Sequence, residues 1–292
     1  MDWLSVTRVA IALALLTMAA ISDWETRTAS DKFWAAMGAA GLALLGVQII
    51  MDDLDPLYLL ILVPIGWVFF DMLWDRKGIL EDGVFWLPLM LYIASAACLT
   101  VLVALFYDSE DLWALLSILV MFVVYYLMYI FDIIKGGADA KALIALTVLI
   151  PVYPTVGEFP LVPVPEGVAQ FVMPFSLLVL FYGALITLAI PVYYVFYNLS
   201  KGDHKFPAMF FGRRMDIEEA KKKHVWPMER VEGQEVSVSS IPQSNPMEEQ
   251  FAALEAKGMK TIWVTPKIPM LIPLTFGLVI AVVVGNIVFA LV

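Results

Sequence analysis

Four aspartates stand in or at the edge of long apolar runs: Asp23, Asp71, Asp132 and Asp139. An ionisable group is expensive there, so its default reading is functional. Asp23 closes the first apolar run in Ile21-Ser22-Asp23-Trp24-Glu25-Thr26-Arg27, and Asp139 opens a later one in Lys135-Gly136-Gly137-Ala138-Asp139-Ala140-Lys141. Two carboxyls that meet can share one proton, because like charges held close cannot both ionise. The ionised member then deprotonates a water while the protonated member polarises a peptide carbonyl, the acid–base pairing of an aspartic protease. Gly136 and Gly137 let the backbone bend and approach closely before a helix begins. Asp139 then falls in the first helical turn, where free amides favour a carboxylate, which makes it the expected base and Asp23 the acid.

Each of these residues also has a plainer use. Asp23 can close an interfacial salt bridge with Arg27, and Asp139 can cap its helix beside Lys141. Asp71 and Asp132, near Trp74 and Lys135, read as structural partners of their own spans. Tyr125, Tyr126 and Tyr129 fall on one stripe and read as packing or interfacial anchors.

The elements that must position the acids follow from composition. Of 292 residues, 61% are hydrophobic and 16% charged, and the mean hydropathy is +0.84. A soluble chain this apolar could not cover its surface. The single cysteine, Cys98, excludes a disulfide framework and a thiolate zinc site, and two histidines cannot build a tri-histidine centre. A net charge of −10 argues against nucleic acid as a partner. The fold class expected is an all-α polytopic membrane protein with a small α+β domain in the cytoplasm.

A span needs about 20 apolar residues, and eight stretches meet that pattern: Leu4–Ile21, Phe33–Ile50, Leu57–Leu73, Val84–Phe106, Leu112–Ile134, one from Ala140 towards Pro151, Phe171–Phe196, and Ile268–Val292. The first has no basic region before it and no small-residue cleavage site after it, so it is expected to be a mature span. Lys and Arg orient the bundle. Arg27 and Lys32, Arg76 and Lys77, Lys135 and Lys141, and the segment Lys201–Lys267 occupy alternate connections. The opposite connections hold Asp52, Asp53, Asp55, Asp108, Glu110, Asp111, Glu158 and Glu166 without a single cation, Arg8 alone lying on that side. Both termini are therefore expected outside and the basic connections in the cytoplasm. The division expected is residues 1–199 as the helix bundle carrying both aspartates, 200–267 as the cytoplasmic domain, and 268–292 as a final span. Within the domain, Asp216–Lys223 reads as a short helix with acids first and bases last, and Val236-Ser237-Val238-Ser239 as a strand. Four spans separate Asp23 from Asp139, and an even number returns the chain to its starting face.

At these residues the sequence resembles the archaeal preflagellin peptidases, the archaeal branch of the type IV prepilin peptidases and of the GxGD membrane aspartyl proteases. Asp23 followed four residues later by Arg27 resembles the family's first motif; Gly136-Gly137-Ala138-Asp139-Ala140-Lys141 resembles its second. Phe210-Phe211-Gly212-Arg213-Arg214-Met215 and Ile262-Trp263-Val264-Thr265-Pro266-Lys267-Ile268-Pro269 resemble the cytoplasmic domain and the entry to the last span. Two features depart from the pattern: Ala138 stands where a strict GxGD has Gly, and an extra pair of spans accompanies a family-like six. The resemblance implies catalysis by Asp23 and Asp139, positioned by Gly136, Gly137, Ala138, Lys141 and Arg27, with no cofactor and no metal. It implies cleavage of the basic leader from preflagellin or type IV pilin-like precursors at the cytoplasmic face. Glu25, Asp31, Glu81 and Asp82 are expected to draw that leader's cations. Relatives that also methylate carry a cysteine-rich zinc domain, so no methyltransferase activity is expected here. Two alternatives remain at this stage: cleavage of other transmembrane substrates within the bilayer, and a proton-coupled transporter using the same acids. The latter is disfavoured because no internal repeat is visible.

Overall fold

The computed structural model describes residues 3–74, 85–134, 136–163, 173–233, 235–239 and 246–290. Arg76, Lys77, Glu81, Asp82, Lys135 and Glu166, which enter the orientation and leader-binding expectations, lie outside them. The chain divides into two compact units, Met1–Gly183 with Pro269–Val292, and Ala184–Ile268.

The first unit is helical. It contains α1 (Trp3–Thr26), α2 (Asp31–Met51), a 3-10 turn (Pro56–Ile61) running straight into α3 (Leu62–Leu73), α4 (Trp86–Phe106), α5 (Glu110–Ile130), α6 (Gly137–Leu149), most of α7 (Phe175–Thr187), and α12 (Leu271–Val284) with α13 (Ile287–Ala290). Among the described residues, six continuous stretches are long and apolar enough to cross a bilayer: Trp3–Thr26, Asp31–Met51, Pro56–Leu73, Trp86–Phe106, Glu110–Ile130 and Phe175–Lys201. The chain is thus an integral membrane protein, mostly helical, with a small α+β region towards its C-terminus.

The eight expected spans differ from these helices in three places. The sixth, α6, has 13 residues, rising about 20 Å against a hydrocarbon core of about 30 Å. It stops at Leu149 because Pro151 cannot continue the ladder and disfavours helix at the residue before it. The eighth, α12, has 14 residues and ends at Gly285, whose φ of +81° turns the backbone into the left-handed region. The seventh is two abutting helices, α7 and α8 (Ala189–Lys201). The junction at Leu188 lies where Pro191 has no N–H to offer the Thr187 carbonyl.

Packing explains how a helix as short as α6 is accommodated. Ala140 and every residue from Ala142 to Leu149 are buried, so α6 is enclosed on all sides by other helices. Its principal neighbour is α2, and the approach is close: a Cβ on Gly41 would stand 2.8 Å from the Leu149 backbone. Similarly, α1 packs along α12, presenting the fully buried Ala12 and Ala19. Arg8 proves not to be an interfacial charge. Its side chain is buried, and Nη1 donates to Gln48 Oε1 at 2.8 Å. Cys98 is half-buried on α4.

The second unit begins in the last turn of α7 and continues with α8, α9 (Ala208–Phe211), β1 (Arg213–Asp216), α10 (Ile217–Ala220), β2 (Val225–Pro227), β3 (Glu229–Glu232), β4 (Glu235–Val238), α11 (Met247–Ala256) and β5 (Thr261–Pro266). β5 is the centre of an antiparallel sheet in the order β1-β5-β2, pairing Arg214 with Trp263 and Trp226 with Thr265. Phe251 and Leu254 of α11 pack with Met215, Val225, Ile262 and Val264 as its core. The expected short helix forms at α10, where the Asp216 carboxylate accepts from the Glu218 amide at 2.9 Å and Lys223 pairs with Glu219. The Val236–Val238 alternation lies in β4, which forms a hairpin with β3.

Candidate active site

Asp23 sits near the last turn of α1. Local geometry bends the chain away directly after it. The Arg27 amide donates to the Asp23 carbonyl at 3.0 Å, Arg27 adopts φ +59°, and Thr26 Oγ1 donates to the Ser22 carbonyl at 2.8 Å. The Asp23 carboxylate accepts from the backbone amide of Leu271, the first residue of α12. That amide is one of the donors a helix start leaves unpaired.

Asp139 is the third residue of α6. Gly136 caps the helix with extended geometry, φ −96° and ψ 122°, and its carbonyl accepts from the amides of Asp139 and Ala140 at 3.1 and 3.2 Å. The Asp139 carboxyl folds back over the Gly136 Cα, so closely that a Cβ there would collide with Oδ2. Gly136 is thus required for space, and its φ is one that any residue adopts. Gly137 faces the Tyr129 ring, whose hydroxyl lies 3.8 Å from where a Cβ would stand. Ala138, with its helical backbone, departs from the glycine pattern without strain, since nothing at that position asks for positive φ.

The chain separates Asp23 from Asp139 by α2, α3, α4 and α5, yet the charge of Asp23 bears on Asp139. Arg27 also bears electrostatically on Asp23. It makes no ion pair with it, however; the guanidinium stacks over the Trp24 ring at 5.7 Å, and Nε and Nη1 are buried without hydrogen-bond partners. Lys141 faces elsewhere: Nζ holds both oxygens of Asp31 at 2.8 Å, joining the start of α6 to the start of α2. Asp31, expected among the acids open to a leader, is therefore engaged with Lys141, while Glu25 is exposed.

The remaining singled-out acids lie apart from the pair. Asp71 accepts from the Tyr92 hydroxyl at 2.6 Å, joining α3 to α4. Asp132 lies exposed in the turn that ends α5, with φ +56°. Tyr125 is fully buried and donates to Ser176 Oγ at 2.7 Å, which in turn bonds Thr147 Oγ1 of α6 at 2.7 Å; Tyr126 and Tyr129 are exposed. Among the described residues no three His, Cys, Asp or Glu side chains gather as a metal-binding group. Sequence reasoning misses the Leu271 amide, because a backbone donor has no side-chain signature. The only available hint is Pro269 and Pro273, which mark a helix beginning nearby.

Residues 204–287 match the family model described as Archaeal Peptidase A24 C-terminus Type II. The preflagellin peptidase of Methanococcus voltae is 30% identical over 175 residues, covering 58% of this chain and 70% of the relative. That of Methanococcus maripaludis strain C6 is 27% identical over 177 residues, covering 57% and 70%. An uncharacterised protein of Methanocaldococcus jannaschii is 22% identical over 271 residues, 90% of this chain and 87% of its own. With that identity and that coverage, the chain belongs to the archaeal A24 peptidase family that includes the preflagellin peptidases.

Proposed function

We propose that this protein is a membrane aspartic endopeptidase that removes the basic leader from preflagellin or type IV pilin-like precursors at the cytoplasmic face. The observation that supports the reading is that the charge of Asp23 bears on Asp139 although α2, α3, α4 and α5 lie between them along the chain. A water between the two carboxyls loses a proton to the ionised one and attacks the scissile carbonyl. The other carboxyl donates its proton to that carbonyl's oxygen. The carboxyl that took the water's proton passes it to the departing amide nitrogen while the other takes back a proton from a hydroxyl of the gem-diol; the C–N bond breaks, the carbonyl re-forms, and the pair again holds one proton. The Leu271 amide holds the Asp23 carboxylate in place, and the Gly136 cradle sets the Asp139 rotamer. Gly137 and Ala138 complete that turn, Lys141 steadies the start of α6 through Asp31, and Arg27 supplies positive charge beside Asp23.

The orientation that suits this chemistry has both termini outside and residues 200–267 in the cytoplasm, with the bundle of residues 1–199 and the final span 268–292 around the pair. The cation-free connections containing Asp52–Asp55 and Asp108–Asp111 support it. The test mixes membranes bearing the protein with a preflagellin and follows the leader-sized shift on a gel. Asp23→Asn and Asp139→Asn should each abolish it. Undiminished processing by both variants would overturn the mechanism.

A further inference from the structure

After α8 the chain turns back along its own helix. Gly202 ends α8 at φ +76°, and the Asp203 amide donates to the Asn198 carbonyl at 2.9 Å. The fully buried Asn198 then donates through Nδ2 to the carbonyls of Met209 at 2.9 Å and Gly212 at 2.7 Å. Residues 209–212 therefore stand level with Asn198, about 6 Å back along α8 from Gly202 at 1.5 Å per residue. Arg213 adds a second tie, its guanidinium 5.9 Å over the Tyr197 ring.

α8 is the last part of the Phe175–Lys201 span. Its outward stripe, Leu188, Val192, Phe196 and Leu199, is exposed as a lipid-facing surface is. The returning segment has two faces. Ala208 is buried and Met209 packs with Met228 and Trp263 in a small core of the second unit. Phe206, 77% exposed, and Phe211, 45% exposed, point away from it, with Phe206 edge-on to Phe210 at 5.8 Å. Lys201 and Lys205 flank the turn and are exposed.

We propose that Phe206–Phe211 is an interfacial membrane anchor, its two outward phenylalanines seated at the boundary of headgroups and acyl chains and Lys201 and Lys205 at the lipid phosphates. Continuity with the α8 stripe identifies the bilayer as the occupant, and the lysines complement anionic headgroups. The anchor fixes the height of the α+β unit at the bilayer surface, because Ala208 and Met209 belong to that unit's core.

The test uses full-length protein in phosphatidylcholine/phosphatidylglycerol vesicles. Cys98→Ala removes the single native thiol, and Phe206→Cys, Phe211→Cys and, as a water-exposed reference, Lys222→Cys each receive a nitroxide label. Electron paramagnetic resonance saturation is measured with oxygen, which concentrates in lipid, and with a neutral nickel chelate, which stays in water. Labels at 206 and 211 should favour oxygen over nickel several-fold, and the label at 222 should show the reverse. A nickel preference at either phenylalanine equal to that at Lys222 overturns the proposal. So does exclusion of both reagents, which would mean that protein covers the segment.

Discussion

The two ends of α2 use acids in opposite ways. At its far end every carboxylate whose partner is seen is engaged by a near neighbour: Asp52 accepts from Gln48 at 3.2 Å, and Asp55 caps the following 3-10 turn through the Leu57 amide at 2.9 Å, with Pro56 at the first helical position. At the near end, the charge of Asp23 bears on Asp139 from four helices away along the chain, and the partner that Asp23 finds is an amide from α12. Local engagement marks an acid that builds the fold. A carboxyl brought beside another carboxyl serves no such purpose, since their repulsion has to be borne by the surrounding packing.

Breaking the pair should give the largest effect. Asp23→Asn or Asp139→Asn should lower the leader-removal rate by about 10²- to 10⁴-fold, the range of general acid–base contributions, while the thermal midpoint of the detergent-solubilised protein stays close to that of the parent. Gly136→Val comes next. Its side chain would enter the space of the Asp139 carboxyl, so processing should fall by at least about tenfold, and Gly136→Ala should fall between Val and the parent. At the opposite end, Asp55→Ala should cost about 1 kcal/mol of stability by removing a cap and leave the processing rate unchanged. Equal rate losses from Asp55→Ala and Gly136→Val would erase the distinction between the two ends.

Glu229 sharpens the comparison from the second unit, where an acid also finds a partner far away in sequence. It accepts from the Trp263 amide at 3.1 Å, and burial raises its carboxyl above the ordinary 4.5, against smaller opposing effects of that amide, Lys205 and Arg214. A raised acid holds its proton more tightly folded than unfolded. Its contribution to stability is therefore full below pH 4.5 and fades as pH rises through the folded value. Glu229→Gln keeps an acceptor for the Trp263 amide and should flatten this part of the pH dependence of unfolding, with no change in leader removal. Long-range partnership alone thus does not set Asp23 and Asp139 apart; the charge of a second carboxyl does.

Much of this was legible in the chain. The apolar run lengths locate α1 to α5 within a few residues, because a span is set by bilayer thickness and helical rise. Asp216 before two glutamates announces its own capped turn. The shortness of α6 and α12 was less legible. Hydropathy cannot distinguish a helix facing lipid from one enclosed by other helices, since both are apolar. Lys141 was expected beside Asp139, and its engagement with Asp31 depends on how α2 docks, which no local pattern encodes.

By itself the sequence determined a membrane protein whose few ionisable groups collect at span ends, with the two aspartate motifs of its family; these follow from composition and local spacing. Only the tertiary structure decided that the Asp23 charge bears on Asp139, that the Leu271 amide reaches Asp23, and that Gly136 makes room for Asp139. The reason is physical: these are contacts between helix ends distant along the chain, fixed by the close approach of α2 to α6 and of α1 to α12, and such approaches depend on the shapes of whole faces.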